Sequence, residues 1–101
     1  MKKQSVFLAF LYEANRKQQK LLLSSLTKDQ LNVIGEIALN IYTGVFPISS
    51  RYSILLKPFR RHIRLLAARE ISTRKKRGTL MKNIKLISLL LKPVIDQLSK
   101  K

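Results

Sequence analysis

The chain has no cysteine and no tryptophan, and only three glycines, three prolines and one histidine among its 101 residues. Without cysteine there is no disulfide framework and no zinc module of the cysteine-containing kinds. So few glycines and prolines leave no low-complexity linker, and apolar residues at 46% of the composition mark a folding chain, unlike a disordered basic tail. Acidic side chains are also few. Glu13, Asp29, Glu36, Glu70 and Asp96 lie on different segments, and none has a spacing to another or to His62 that suits general acid–base catalysis or metal binding. Enzyme chemistry, a metal and a cofactor are therefore not expected. His62, flanked by Arg61 and Arg64, has no orienting acid or nucleophile nearby in sequence and reads as a bystander on a basic surface.

Long apolar runs are missing too, since no stretch reaches the ~18 uncharged apolar residues of a transmembrane helix. The start, Met1-Lys2-Lys3 followed by Val6 to Leu11, is short for a signal peptide, and Tyr12-Glu13 stands where a small-residue cleavage site would be. The expectation is an intracellular protein, not a secreted one.

What the chain has in excess is positive charge. Lys and Arg number 21 against five acids, a formal net charge of +16. Self-repulsion on that scale destabilises a small compact state, so binding to a polyanion is its expected purpose, with nucleic acid ahead of anionic membrane and acidic protein. Residues 1–50 carry six basic and three acidic side chains, whereas 51–101 carry fifteen and two. The C-terminal half is the expected binding half.

Apolar spacing predicts an all-α fold, a small bundle of about four helices, with an N-terminal amphipathic helix in 1–26 and a basic helical domain in 27–101. A first helix over about 4–24 carries Phe7, Phe10, Leu11, Ala14 and Leu21 at three- and four-residue steps. Thr27 and Gln30 form a capping box ahead of a helix over about 28–43, which Gly44 stops; its few charges make it the central, most buried element. Ser49 or Ser50 caps a third segment, in which Pro58 forces a kink or a restart. Beyond it Phe59, Ile63, Leu66 and Ala67 face inward and Lys57, Arg60, Arg61 and Arg64 outward. Ile34, Ile37, Ile41, Phe59, Ile63 and Leu66 are expected to share one core. The run Arg74-Lys75-Lys76-Arg77-Gly78 breaks the periodicity and reads as an exposed turn or a helix start held open by repulsion. A last helix over about 79–98, bent at Pro93, presents Leu80, Ile84, Ile87, Leu91, Val94, Ile95 and Leu98, widened by Leu86, Leu89 and Leu90. Segments one and four together offer more apolar surface than one small core covers, so a homo-oligomer is expected.

The cations Lys57, Arg60, Arg61, Arg64, Arg69, Arg74, Lys75, Lys76 and Arg77, supported by Lys82 and Lys85, make the expected phosphate-tracking surface, on double-stranded DNA or on RNA. The four-residue run alone also satisfies a nuclear localisation signal. A helix-turn-helix regulator, which would read base sequence, is disfavoured because Asn and Gln are absent from 41–82, where base contacts would arise. The same charge would also suit a capsid-lining or cement protein, and the apolar tail with its basic ends would suit a membrane-active terminal helix.

The order of motifs is itself informative: Glu36 to Asn40 (EIALN), a Gly-x-x-Pro-Ile-Ser turn at Gly44 to Ser49, a basic helix through His62-Ile-Arg-Leu-Leu-Ala-Ala-Arg69, then Ser72 to Arg77 and an apolar tail. Over about residues 27–98 this resembles a group of small basic proteins of adintoviruses and related Polinton-type elements, themselves similar to the small core proteins of adenoviruses. The resemblance implies a virion core protein that packages a double-stranded DNA genome, residing in the virion interior and host nucleus; a capsid protein is the partner expected under the capsid-lining alternative. The tail departs from that group's glycine-rich apolar stretch, for Gly78 is single and Lys82, Lys85 and Lys92 interrupt the apolar residues.

Overall fold

A computed structural model describes the backbone of residues 2–99 and the side chains of 6–97. Met1 to Ser5, and Leu98 on the expected apolar face, fall outside the described side chains. Among the described residues every regular element is helical: α1 (Lys2–Glu13), α2 (Arg16–Ser25), α3 (Lys28–Tyr42), α4 (Ser50–Leu56), a 3-10 turn (Lys57–Phe59), α5 (Arg60–Ala67), α6 (Thr73–Lys82) and α7 (Ile84–Ser99). The all-α expectation holds, but shorter and more numerous helices replace about four.

Capping explains the extra helices. The first segment breaks at Asn15, whose side chain accepts from the Gln18 amide at 2.8 Å while Gln18 Oε1 accepts from the Asn15 amide at 3.0 Å. That capping box has the same grammar as Thr27 with Gln30, which starts α3 as expected. Ser72 accepts from the Lys75 amide and so starts α6, which makes the basic run helical instead of an exposed turn. Asn83 then separates α6 from α7. Gly44, at φ 81, ends α3 in the left-handed conformation that favours glycine.

Leucine and isoleucine from both ends of the chain share one core. Leu8, Leu11, Leu23 and Leu26 of the N-terminal segment join Leu31, Ile34, Ala38 and Ile41 of α3, Ile63 and Leu66 of α5, and Leu80 to Leu91 of α6 and α7. Ile37 and Phe59, expected to share this core, pack against it half-buried. α3 shares the central position with α7, whose Leu86, Ile87, Leu90 and Leu91 are almost wholly buried. The broad apolar side of the tail helix is thus core. Among the described residues the large apolar side chains left exposed are Val6, Phe10 and Leu21 at the N-terminal end, and Tyr42, Val45, Ile54 and Leu55 around α4.

α3 packs directly on α5, and Gly35 makes the approach possible: a Cβ there would stand 2.9 Å from Leu66 O. Gly78, within α6, has open space around it. The same substitution should therefore act with opposite sign. Gly78→Ala is expected to raise stability by about 0.5–1 kcal/mol through helix propensity. Gly35→Ala is expected to lower it, because overpacking against a backbone carbonyl costs about 1–3 kcal/mol and outweighs that gain. Urea unfolding of both variants checks this, and shifts of the same sign would contradict the close approach.

Two prolines leave carbonyls without their helical donors, and the fold answers in two ways. Pro58 deprives Ile54 O, which the Lys57 amide takes instead by tightening into the 3-10 turn. Pro93 deprives Leu89 O, and the Tyr52 hydroxyl donates to it from α4. Burial first, with Tyr12 and Asp96 adding to it, pushes the Tyr52 hydroxyl up to about 12 and keeps it a donor. Tyr52→Phe is expected to cost about 1–2 kcal/mol in the native chain and clearly less when Pro93→Ala restores an amide donor. Equal costs in the two backgrounds would break the link.

Candidate nucleic-acid interface

A helical residue advances by about 100°, so the order of cations along a helix decides which can share a face. In α5, Arg60, Arg61 and Arg64 fall within an arc of about 100° opposite Ile63 and Leu66. In α6, Arg74, Lys75, Gly78 and Lys82 fall within another such arc, opposite Lys76 and Leu80. The structure follows this arithmetic. Ile63, Leu66 and Leu80 are buried, and Lys57, Arg60, Arg61, Arg64, Arg74, Lys75 and Lys82 are exposed. Arg74, Lys75 and Lys82 line one shallow groove of about 390 Å³ with Ser72, Gly78 and Thr79, and the missing side chain at Gly78 leaves the middle of that groove open. α5 and α6 touch each other, the exposed Arg69 lies in the link between them, and the exposed Lys85 opens α7 beyond the end of α6.

Few of these cations are neutralised within the chain. Two ion pairs occur among the described residues, Arg69 with Glu36 at 3.5 Å and Lys92 with Asp96 at 3.2 Å. The Arg69 and Glu36 side chains are 81% and 56% exposed, so solvent screens their attraction and a phosphate can compete for the guanidinium. Arg60 rests over the Tyr42 ring at 5.9 Å, a cation–π contact that holds the guanidinium at the surface. Tyr42 is a supporting residue that sequence spacing does not reveal, because the contact joins two helices.

Two members of the expected surface are withdrawn from it. Lys76 is only 6% exposed. Arg77 is half-buried, and its guanidinium donates to three carbonyls at the C-terminal end of α2: Leu23 O at 3.2 Å, Ser24 O at 2.8 Å and Leu26 O at 2.8 Å. The reason is geometric, for once Ser72 makes the run helical four consecutive side chains cannot all face outward. The Ser72-x-x-Lys75 cap and the Lys76–Leu80 spacing carry the sequence signal for this. His62 is half-buried, its Nδ1 enclosed without a hydrogen-bond partner and its ring 6.5 Å from that of Phe59, so it stands at the edge of the core and not on the open basic face.

Basic surface also extends beyond the C-terminal half, since Arg16, Lys17 and Lys20 of α2, Lys28 of α3 and Arg51 of α4 are exposed. On α4 the other exposed side chains are Ser50, Ser53, Ile54 and Leu55, a poor set for reading base edges. Among the described residues no three His, Asp or Glu side chains group as metal ligands, and no helix is long and apolar enough to cross a membrane. Compared with known proteins, the chain matches no family model, no curated protein and no solved structure.

Proposed function

We propose that the protein binds duplex nucleic acid through its phosphates, without catalysis and with little sequence preference, and that it packages a double-stranded DNA genome as the core proteins it resembles are expected to do. One observation supports this most. The outer faces of α5 and α6 and the ends beside them hold nine exposed cations, Lys57, Arg60, Arg61, Arg64, Arg69, Arg74, Lys75, Lys82 and Lys85, of which Arg69 alone has an acidic partner among the described residues. Such a surface gains from releasing the counterions condensed on a polyphosphate, and the gain does not depend on base order.

Saturation binding to random-sequence duplex DNA at two salt concentrations tests the reading. Tight, sequence-blind and steeply salt-dependent binding is expected. Salt-independent binding would overturn it and point to a capsid-lining role instead.

A further inference from the structure

The inward turn of Lys76 leaves an ammonium where charge balance disfavours it. The residue is 94% buried, by its 6% exposure, and its side chain has no hydrogen bond or ion pair among the described residues. Its Nζ lies 3.8 Å from where a Cβ on Gly35 would stand, and it lines a cleft of about 570 Å³ between α3, α5 and α6. Among the described residues His62 Nδ1 is the one fully enclosed side-chain polar atom without a partner, so the Lys76 ammonium, which also lacks one, opens into that cleft. Two penalties act on it there. No acidic side chain pairs with its charge, and Lys76 sits in the first turns of α6, where the positive end of the helix dipole repels a cation.

The same helix end faces the cleft, which Ser72 and Thr73 also line. Ser72 occupies the Lys75 amide with its hydroxyl and the Lys76 amide with its carbonyl, so the amides of Thr73 and Arg74 remain as donors. Lys28 and Arg69 add positive charge around the cleft; Glu36 and Glu70 oppose it, the first of them paired with Arg69. We propose that this cleft binds one phosphate group, with Lys76 as the counter-charge and the Thr73 amide, on the residue that lines it, as a hydrogen-bond donor. A phosphate satisfies both at once, because it brings several strong acceptor oxygens on one small anion to a helix N-terminus. Of the nine outward cations only Arg69 borders the site, which can take the group from inorganic phosphate or from the end of a nucleic-acid strand.

Titration of the full chain with sodium phosphate at constant ionic strength, followed through the amide resonances of Thr73, Arg74 and Gly35, tests the site. A saturable shift confined to this region is expected. Lys76→Met, which keeps the length of the side chain and removes the charge, should weaken phosphate binding about tenfold or more, whereas Lys92→Gln, exposed on α7 and outside both basic surfaces, should leave it unchanged. Thr73→Pro is the second variant, because proline is tolerated at the first helical position and Ser72, at φ −65 and ψ 152, already has the conformation required before it. It removes one donor and should weaken binding several-fold even if Lys76→Met fails to fold. No saturable shift, or an unchanged affinity in whichever of these two variants folds, overturns the proposal. Competition by a short oligonucleotide with a 5′-phosphate, and not by its unphosphorylated form, assigns the group to a strand end; indifference to both assigns it to free phosphate. Loss of duplex binding with the phosphate shift intact would refute the packaging reading alone.

Discussion

Raising salt from 50 to 200 mM is expected to weaken binding to duplex DNA by roughly a thousandfold, a slope of log K against log salt near −5. The figure follows from about six phosphate contacts drawn from the nine exposed cations, at about 0.9 released counterions per contact. Replacing Arg61 and Arg64 by Gln should make the slope shallower by about two units and leave the discrimination between DNA sequences unchanged, since phosphate contacts position a protein without specifying bases. Both side chains are exposed on α5, so helicity measured by circular dichroism should persist. A slope near zero for the native protein would refute packaging. A strong preference for one sequence, abolished by the double substitution, would move the function to a sequence-reading regulator.

Arg77→Gln is expected to destabilise the fold by about 2–3 kcal/mol, lowering Tm by roughly 10 °C or more. Its guanidinium joins α6 to three carbonyls at the end of α2, two of them at 2.8 Å, and a cation there also complements the negative end of the α2 dipole. Gln cannot span the three acceptors. Lys should rescue little, because one ammonium lacks the planar fork that reaches them together. Arg74→Gln, one helical turn earlier on the exposed face, should leave Tm nearly unchanged and instead reduce the salt slope by about one unit. Calorimetry and binding on the two variants separate the roles. If Arg77→Gln kept its Tm and Arg74→Gln lost it, the assignment of inward and outward cations would be reversed.

Much of the local structure could be read from residues a few positions apart. Thr27 with Gln30, Ser49, and Gly44 at a positive φ mark the ends of α3 and α4, because each acts on backbone groups within about four residues. The two faces of α5 follow from the spacing of Arg60, Arg61 and Arg64 against Ile63 and Leu66. The capping box at Asn15 and Gln18 is equally legible; the apolar steps of segment one hide it, because Ala14 and Leu21, seven residues apart, stay in helical phase across the break.

The prolines and the basic run show where local rules end. Pro58 and Pro93 each announce a missing donor from composition alone, and the 3-10 turn at Lys57 answers the first within the chain's own neighbourhood. The donor for Leu89 O comes from Tyr52, 37 positions away. Likewise, four adjacent cations establish charge but not exposure. Arg77 is held by Leu23 O at a separation of 54 residues, and Lys76 is buried because α6 packs against α3. Caps and faces are settled by interactions within one or two turns, so sequence specifies them. Which cation meets water and which meets a carbonyl depends on surfaces that come together only when the helices pack, and there the tertiary structure decides.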